Sequence, residues 1–241
     1  MNAAVTLLSG GSVVTMGPRR RGIEAGAVAS SPASGHLLAV CTASGLRSEF
    51  PAADVVNTTG QVVLPGFVNT HTHLFQTLLK GLGDDRVLAD WFVSMTGPSA
   101  VELTEEDCYA AALHGCAEAL TTGTTTIVDF MCVHPRPGLG DAVADAMHDV
   151  GIRGLMARGF VTAGGDVGVP APLVERLDDA LGDAHRLVDR WNRPGSRVRV
   201  GLAPCMSWSV DEPTLRETRA LADTTGALVT MHLADSAFNV A

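Results

Sequence analysis

From Gln61 onward the chain alternates short apolar runs with longer stretches of helical period, and this alternation restricts the fold more than any other feature. Candidate strands lie at Val62–Asn69, Thr124–Phe130, Ile152–Ala157, Val198–Ala203 and Leu228–Met231. Thr104-Glu105-Glu106-Asp107 resembles a capping box, with Asp standing where Glu or Gln is usual. It opens a helix whose small or apolar stripe runs through Cys108, Ala111, Ala112, Gly115, Cys116, Ala119 and Leu120, with Gly123 to end it. Further helices are predicted near Asp141–Val150, from about Pro172 to Trp191, and over Glu212–Thr225 with a stop at Gly226. Repeated βα units imply a parallel sheet with right-handed crossovers. Apolar strands with polar residues at their C-terminal tips suit a TIM-type (β/α)8 barrel, whose active sites lie there. A doubly wound open sheet is the alternative, although no Gly-rich phosphate loop follows any strand.

Residues 1–60 read differently. Short β segments near Val5–Leu8, Ser12–Thr15, Ala27–Ser30, Leu37–Cys41 and Ala53–Asn57 are separated by Gly, Pro and Ser, with no helical period. The expected division is a β-rich portion over 1–60 and an α/β portion over 61–241. An apolar content of 46% is ample for a packed core. No apolar stretch reaches membrane-spanning length, and the N-terminus lacks the charged and apolar regions of a signal peptide. Five unclustered cysteines argue against a disulfide framework and for a reducing cytoplasm. A formal charge of −9 disfavours a nucleic-acid polymer as partner, and Arg19-Arg20-Arg21 is too short a run to reverse that.

The chemistry gathers at strand tips. The run Leu64-Pro65-Gly66-Phe67-Val68-Asn69-Thr70-His71-Thr72-His73 feeds an apolar strand into two histidines one residue apart. Residues i and i+2 of a strand share a face, so His71 and His73 project side by side. His232 closes the fifth candidate strand, and a barrel would bring all three imidazoles to one mouth. Three histidines suit Zn²⁺ and leave a coordination position for water, which then titrates near neutrality. Asp235, three residues after His232, is the candidate proton shuttle to a leaving nitrogen; an N-cap for a following helix is its structural alternative. Asp129 at the end of the second strand is a weaker competitor.

Taken together, Val63–His73, Thr121-Thr122-Gly123-Thr124-Thr125-Thr126 and His232-Leu233-Ala234 resemble the amidohydrolase superfamily, in its cytosine deaminase and s-triazine hydrolase branch. The resemblance covers nearly the whole chain. It implies a β-sandwich portion packed on the barrel, one Zn²⁺ or Fe²⁺ per subunit, and hydrolytic deamination of a small N-heterocycle. His73-Leu74-Phe75-Gln76-Thr77-Leu78, Ala157-Arg158-Gly159 and Ala203-Pro204-Cys205 are similar to the 8-oxoguanine deaminases. By that likeness Gln76 and Trp91 would line the base pocket, with Arg158 and Cys205 near the substrate. Enzymes of the branch that act on methylthioadenosine and adenosylhomocysteine usually carry histidine where Cys205 stands, so the resemblance favours 8-oxoguanine over those substrates. A homo-oligomer is a further expectation of the resemblance.

Two departures accompany it. The shuttle of the family is glutamate in His-x-x-Glu, whereas this chain has Asp235; small misplacements of a reacting group can cost about 10²-fold in rate. A complete barrel takes about 250 residues by itself, yet the chain extends only nine residues past His232. The expectation is therefore an incomplete (β/α)8 barrel of five βα units, the N-terminal portion of a longer enzyme, inactive by itself. A non-catalytic remnant and an s-triazine chlorohydrolase or aminohydrolase are the competing functions.

Overall fold

Pro65 has no N–H to donate to a sheet ladder, and the backbone divides there. The computed structural model, which describes residues 4–234, resolves into two units, 1–66 and 67–241. The expected strand Val62–Asn69 is accordingly two strands in different sheets. Val62–Val63 pairs with Ser12–Val14 in the first unit, while the strand that carries His71 and leads into His73 starts at Phe67.

In the first unit the strands are β1 (Thr6–Ser9), β2 (Ser12–Val14), β3 (Gly22–Ile23), β4 (Gly26–Ser31), β5 (His36–Thr42), β6 (Asp54–Asn57) and β7 (Val62–Val63). They form a four-stranded sheet of order β5-β4-β1-β6 and a three-stranded sheet of order β3-β2-β7. Leu7, Ala27 and Ala29 pack with Leu46 of α1 (Ala43–Glu49) in a small core. The sequence pattern does not announce α1. Only Leu46 of its seven residues is buried, too little for a visible period, and its start is set locally by the Thr42 hydroxyl accepting from the Gly45 N–H at 3.3 Å.

The second unit is mixed α/β. Its strands are β8 (Phe67–Thr72), β9 (Thr124–Met131), β10 (Arg153–Phe160) and β11 (Val198–Pro204). Its helices are α2 (Leu88–Trp91), α3 (Gly97–Glu102), α4 (Glu105–Thr121), α5 (Leu139–Val150), α6 (Leu177–Trp191) and α7 (Glu212–Thr225). All four strands are parallel, in the order β11-β10-β9-β8. Each new strand adds on the same side, so among the described residues the order never reverses. A doubly wound sheet requires such a reversal, and that alternative fails. No closed barrel is formed by the described residues. The expected fifth strand is reduced to one bridge, Leu202 to Val229, flanked by the Leu202 N–H donating to Leu228 O and the Thr230 N–H to Leu202 O.

Local sequence explains the helices well. Thr104 accepts from the Asp107 N–H at 3.2 Å and the Asp107 carboxylate accepts from the Thr104 N–H at 3.0 Å, the reciprocal box that opens α4. Cys108, Ala111, Ala112 and Cys116 then bury its inner stripe, and Gly123 turns the chain into β9 at φ +89°. Helix α6 begins at Leu177, five residues later than the sequence predicts. Ala171–Leu173 is a separate 3-10 turn, and the Glu175 N–H is taken by Val161 O at 2.8 Å, which keeps residues 174–176 out of the helix.

Candidate functional site

Strand β8 reaches its tip irregularly. Asn69 is opposite Ile127 but Thr72 is opposite Asp129, so β8 carries one extra residue across Thr70–His71. A bulge of this kind bends a strand and re-aims a side chain. The Asn69 carboxamide oxygen braces the bend by accepting the His71 N–H at 3.0 Å. His73 follows in extended conformation and heads the 3-10 turn Leu74–Leu79. From the far side of the sheet, the His232 N–H donates to Cys205 O at 3.3 Å, which sets His232 beside the end of β11.

These three segments bring the imidazoles together. Ring centroids lie 5.7 Å apart for His71 and His73, 5.5 Å for His71 and His232, and 5.1 Å for His73 and His232. One ring nitrogen from each falls within 4.8 Å of the other two, close enough for one metal ion to share. Phe130, at the end of β9, packs edge-on against His232 at 4.2 Å. Its carbonyl lies 2.8 Å from His73 Nδ1. A carbonyl there takes the Nδ1 proton and leaves the Nε2 lone pair for a cation, the usual second contact of a metal-bound histidine. Burial lowers the His73 pKa to about 4, with Phe130 O pulling it back up and His232 and His71 adding repulsion. The ring is therefore neutral, as a ligand must be, at any physiological pH. Phe130 carries no titratable group, so its residue type does not mark it as part of a site; its position at a strand tip is the signal the sequence offers.

A cavity of about 690 Å³ opens from the three histidines. Gln76, Trp91 and Cys205 line it together with His71, His73 and His232, so six of the residues singled out from sequence meet in one place. Gln76 sits on the 3-10 turn after His73, its N–H on His73 O at 3.0 Å. Trp91 ends α2 and lies over Gly83, where a Cβ would stand 2.4 Å from the indole Cδ1. The thiols of Cys132 and Cys205 hydrogen-bond to one another, which with burial holds Cys132 well above the usual thiol pKa. Most of the remaining wall is apolar, including Phe92, Val93, Val167, Val169 and Trp208.

Two candidates are turned away from that space. In β10, Arg158 shares a face with Met156 and Phe160, and that face looks toward the helices. Its guanidinium is spent on Glu175 and Asp183 of the α6 side, so it stands apart from the cavity instead of near a substrate. Asp129 obeys the same parity. Val128 and Phe130 face the histidines, whereas Asp129 is fully buried on the opposite face and accepts the Leu74 N–H at 2.6 Å. Burial pushes its carboxyl up to about 7. Its carboxylate is thus turned away from the histidines and toward the backbone that follows His73. Asp235 lies outside the described residues.

The geometry can be set beside known proteins. The chain is 34% identical over 182 residues to a 5-methylthioadenosine/S-adenosylhomocysteine deaminase of Symbiobacterium thermophilum, covering 75% of this chain and 38% of that protein. Its fold superposes on an adenosine deaminase from Xanthomonas campestris solved with bound zinc, with a TM-score of 0.80 and 25% identity, over 98% of this chain and 50% of the other. It also superposes on an atrazine chlorohydrolase from Arthrobacter aurescens complexed with zinc, at a TM-score of 0.85 and 22% identity, over 95% and 52%. The chain thus spans about half the length, or less, of the relatives it matches. The amidohydrolase family model matches residues 62–239, most of the sequence, and the chain belongs to the amidohydrolase family.

Proposed function

We propose that this protein is a metal-dependent hydrolytic deaminase of an N-heterocycle, and that the second unit is an arc of consecutive strands from a (β/α)8 barrel. The observation that carries the reading is the convergence of His71, His73 and His232 at one wall of an apolar cavity. Three neutral nitrogens in that arrangement fit Zn²⁺, or Fe²⁺, one per subunit. A divalent cation bound there supplies a nucleophilic water at neutral pH.

The protein residues do the rest. Phe130 O holds the His73 ring in one tautomer and orientation. Trp91, Phe92 and Trp208 exclude bulk water and offer flat apolar faces to a heterocycle, while Gln76 supplies both a donor and an acceptor for ring edges. Asp235 moves a proton to the departing amine, so that water and the aminated ring become the oxo ring and ammonia. Within this class the reading of 8-oxoguanine rests on Gln76, Trp91 and Cys205, having lost Arg158. The name of the Symbiobacterium relative favours a purine with a substituent at its sugar, and a cavity of this size has room for one.

The test is metal content and ammonia release on the same purified chain. One equivalent of zinc or iron, with ammonia from 8-oxoguanine, 5′-methylthioadenosine or an aminotriazine, supports the proposal and ranks the substrates. Chloride release from atrazine instead of ammonia moves the assignment to dechlorination. Absence of bound metal after growth and dialysis in zinc removes the proposal, and metal without turnover on any ring marks a non-catalytic remnant.

A further inference from the structure

Residues 161–175 join β10 to α6 and contribute Val161, Val167, Val169 and Leu173 to the cavity wall. The segment has little regular structure of its own. It holds two three-residue 3-10 turns, and Gly164 and Gly168 take left-handed conformations at φ +102° and +93°. Its internal backbone bonds are turn bonds, not a ladder: the Val167 and Val169 N–H groups donate to Gly164 O, the Leu173 N–H to Pro170 O and the Val174 N–H to Ala171 O. The Thr162 and Ala163 N–H groups fix its start on Ser209 O, and the Glu175 N–H to Val161 O closes the base. Beyond Ala163 a stretch held by turn bonds alone opens at low cost unless a side chain ties down its far end.

Arg158 supplies the tie at that far end. Its side chain is 2% exposed, and its planar fork meets Glu175 twice, Nη1 to Oε2 at 2.8 Å and Nη2 to Oε1 at 2.5 Å. Nε reaches Asp183 at 3.1 Å, and Nη1 also donates to Gly159 O at 2.5 Å. Asp183 in turn accepts from Arg186, which pairs with Asp141 of α5 at 2.5 Å. Charge-assisted bidentate pairs are the strong and directional ones, and this one grips the C-terminal end of the wall segment while resting on two packed helices. We propose that Arg158 is a positioning residue: through Glu175 it latches residues 161–175 in place as the apolar wall of the cavity, setting how closely a bound ring is enclosed without touching it. Calling the enclosed molecule a substrate rests on the function proposed above; the latch does not.

The cavity's own thiols report on it. Cys132 and Cys205 line the cavity, whereas Cys108 and Cys116 are buried on the inner stripe of α4, and Cys41 is exposed. Glu175→Gln removes one charge at nearly constant volume and leaves Asp183 to balance Arg158. In this variant, alkylation of Cys132 and Cys205 by N-ethylmaleimide, followed by peptide mass spectrometry, should accelerate about tenfold or more. Cys108 and Cys116 should stay protected, with Cys41 unchanged as the reagent control. Should Glu175→Gln not fold, Arg158→Lys keeps the charge, loses the fork and serves as the second variant with the same expected pattern. Unchanged labelling of Cys132 and Cys205 would overturn the latch. So would equal acceleration of all four inner cysteines, which is general loosening. Where turnover is measurable, KM should rise with kcat held; selective labelling in a chain that binds no metal would sink the functional proposal and leave the latch standing.

Discussion

Asp129 offers a sharp test of how the buried layer beneath the histidines is built. Its carboxyl is fully buried, accepts one bond from the Leu74 N–H, and among the described residues has no partner for Oδ2. Its pKa rises from 3.8 to about 7 because burial penalises the charged form, the Leu74 bond opposing only in part. An acid whose pKa is raised on folding contributes its full stability below the unfolded value and loses it as pH climbs through the folded one. At about 1.4 kcal/mol per pH unit, roughly 4 kcal/mol is at stake between pH 4 and pH 7. Asp129→Asn imitates the protonated acid and keeps an oxygen for Leu74, so its stability should not carry this slope. Two of the affected pH units lie between pH 5 and pH 8, so the variant should gain roughly 3 kcal/mol on the unaltered chain across that interval. Burial of His73 acts the other way, since its lowered pKa adds stability that is lost as pH falls from 6.5 toward about 4. That contribution is common to both chains and cancels in the difference. Urea titrations followed by circular dichroism at pH 5 and pH 8 give the four free energies needed. A gap between the chains that is the same at both pH values would refute the reasoning.

Three further outcomes are expected. His232→Ala should leave the helical circular dichroism intact while removing stoichiometric zinc, read by mass spectrometry of the dialysed protein, because it takes one of three nitrogens from a shared point. Thr104→Ala breaks the reciprocal box at the start of α4 and should cost about 1 kcal/mol in a urea titration. Gly159→Ala would put a methyl group 2.4 Å from Cys132 Cα, backbone that cannot swing aside, and should cost roughly 3 kcal/mol or prevent soluble expression.

Elements that declare themselves locally were readable from the sequence. The Thr104–Asp107 box, the stop at Gly226 and the span Glu212–Thr225 follow from capping chemistry confined to a few neighbouring residues. Convergence of His71, His73 and His232 was also readable, because parallel strands place their C-terminal ends at one edge of the sheet. Elements set by distant partners were not. The late start of α6 depends on a bond from Glu175 to Val161, and the shrinkage of the last strand to one bridge depends on how far residues 228–230 follow β11. The stretch 88–102, helical in three short pieces, has no apolar period long enough to show.

The two charged residues placed differently by structure and sequence share one cause, and it bears on how such sites are built. Asp129 and Arg158 both interrupt apolar strands near their tips, where a charge invites a catalytic reading. Strand parity decides otherwise: neighbours Phe130 and Ala157 take the inner face, and the charges fall among the helices. Burying a charge or an unpartnered carboxyl there is costly, so a purely structural role would be better served by an apolar side chain of similar size. Each of these two, however, holds a segment that an apolar side chain could not hold. Asp129 fixes the N–H of Leu74, the residue directly after His73, and Arg158 grips Glu175 at the end of the cavity wall. Stability given up in the helix layer is thus matched by definition at the histidines and around the cavity. That trade predicts that Asp129→Leu, against Asp129→Asn, should fold as well or better at pH 8 yet bind zinc more weakly, because Leu74 and the ring before it lose their anchor.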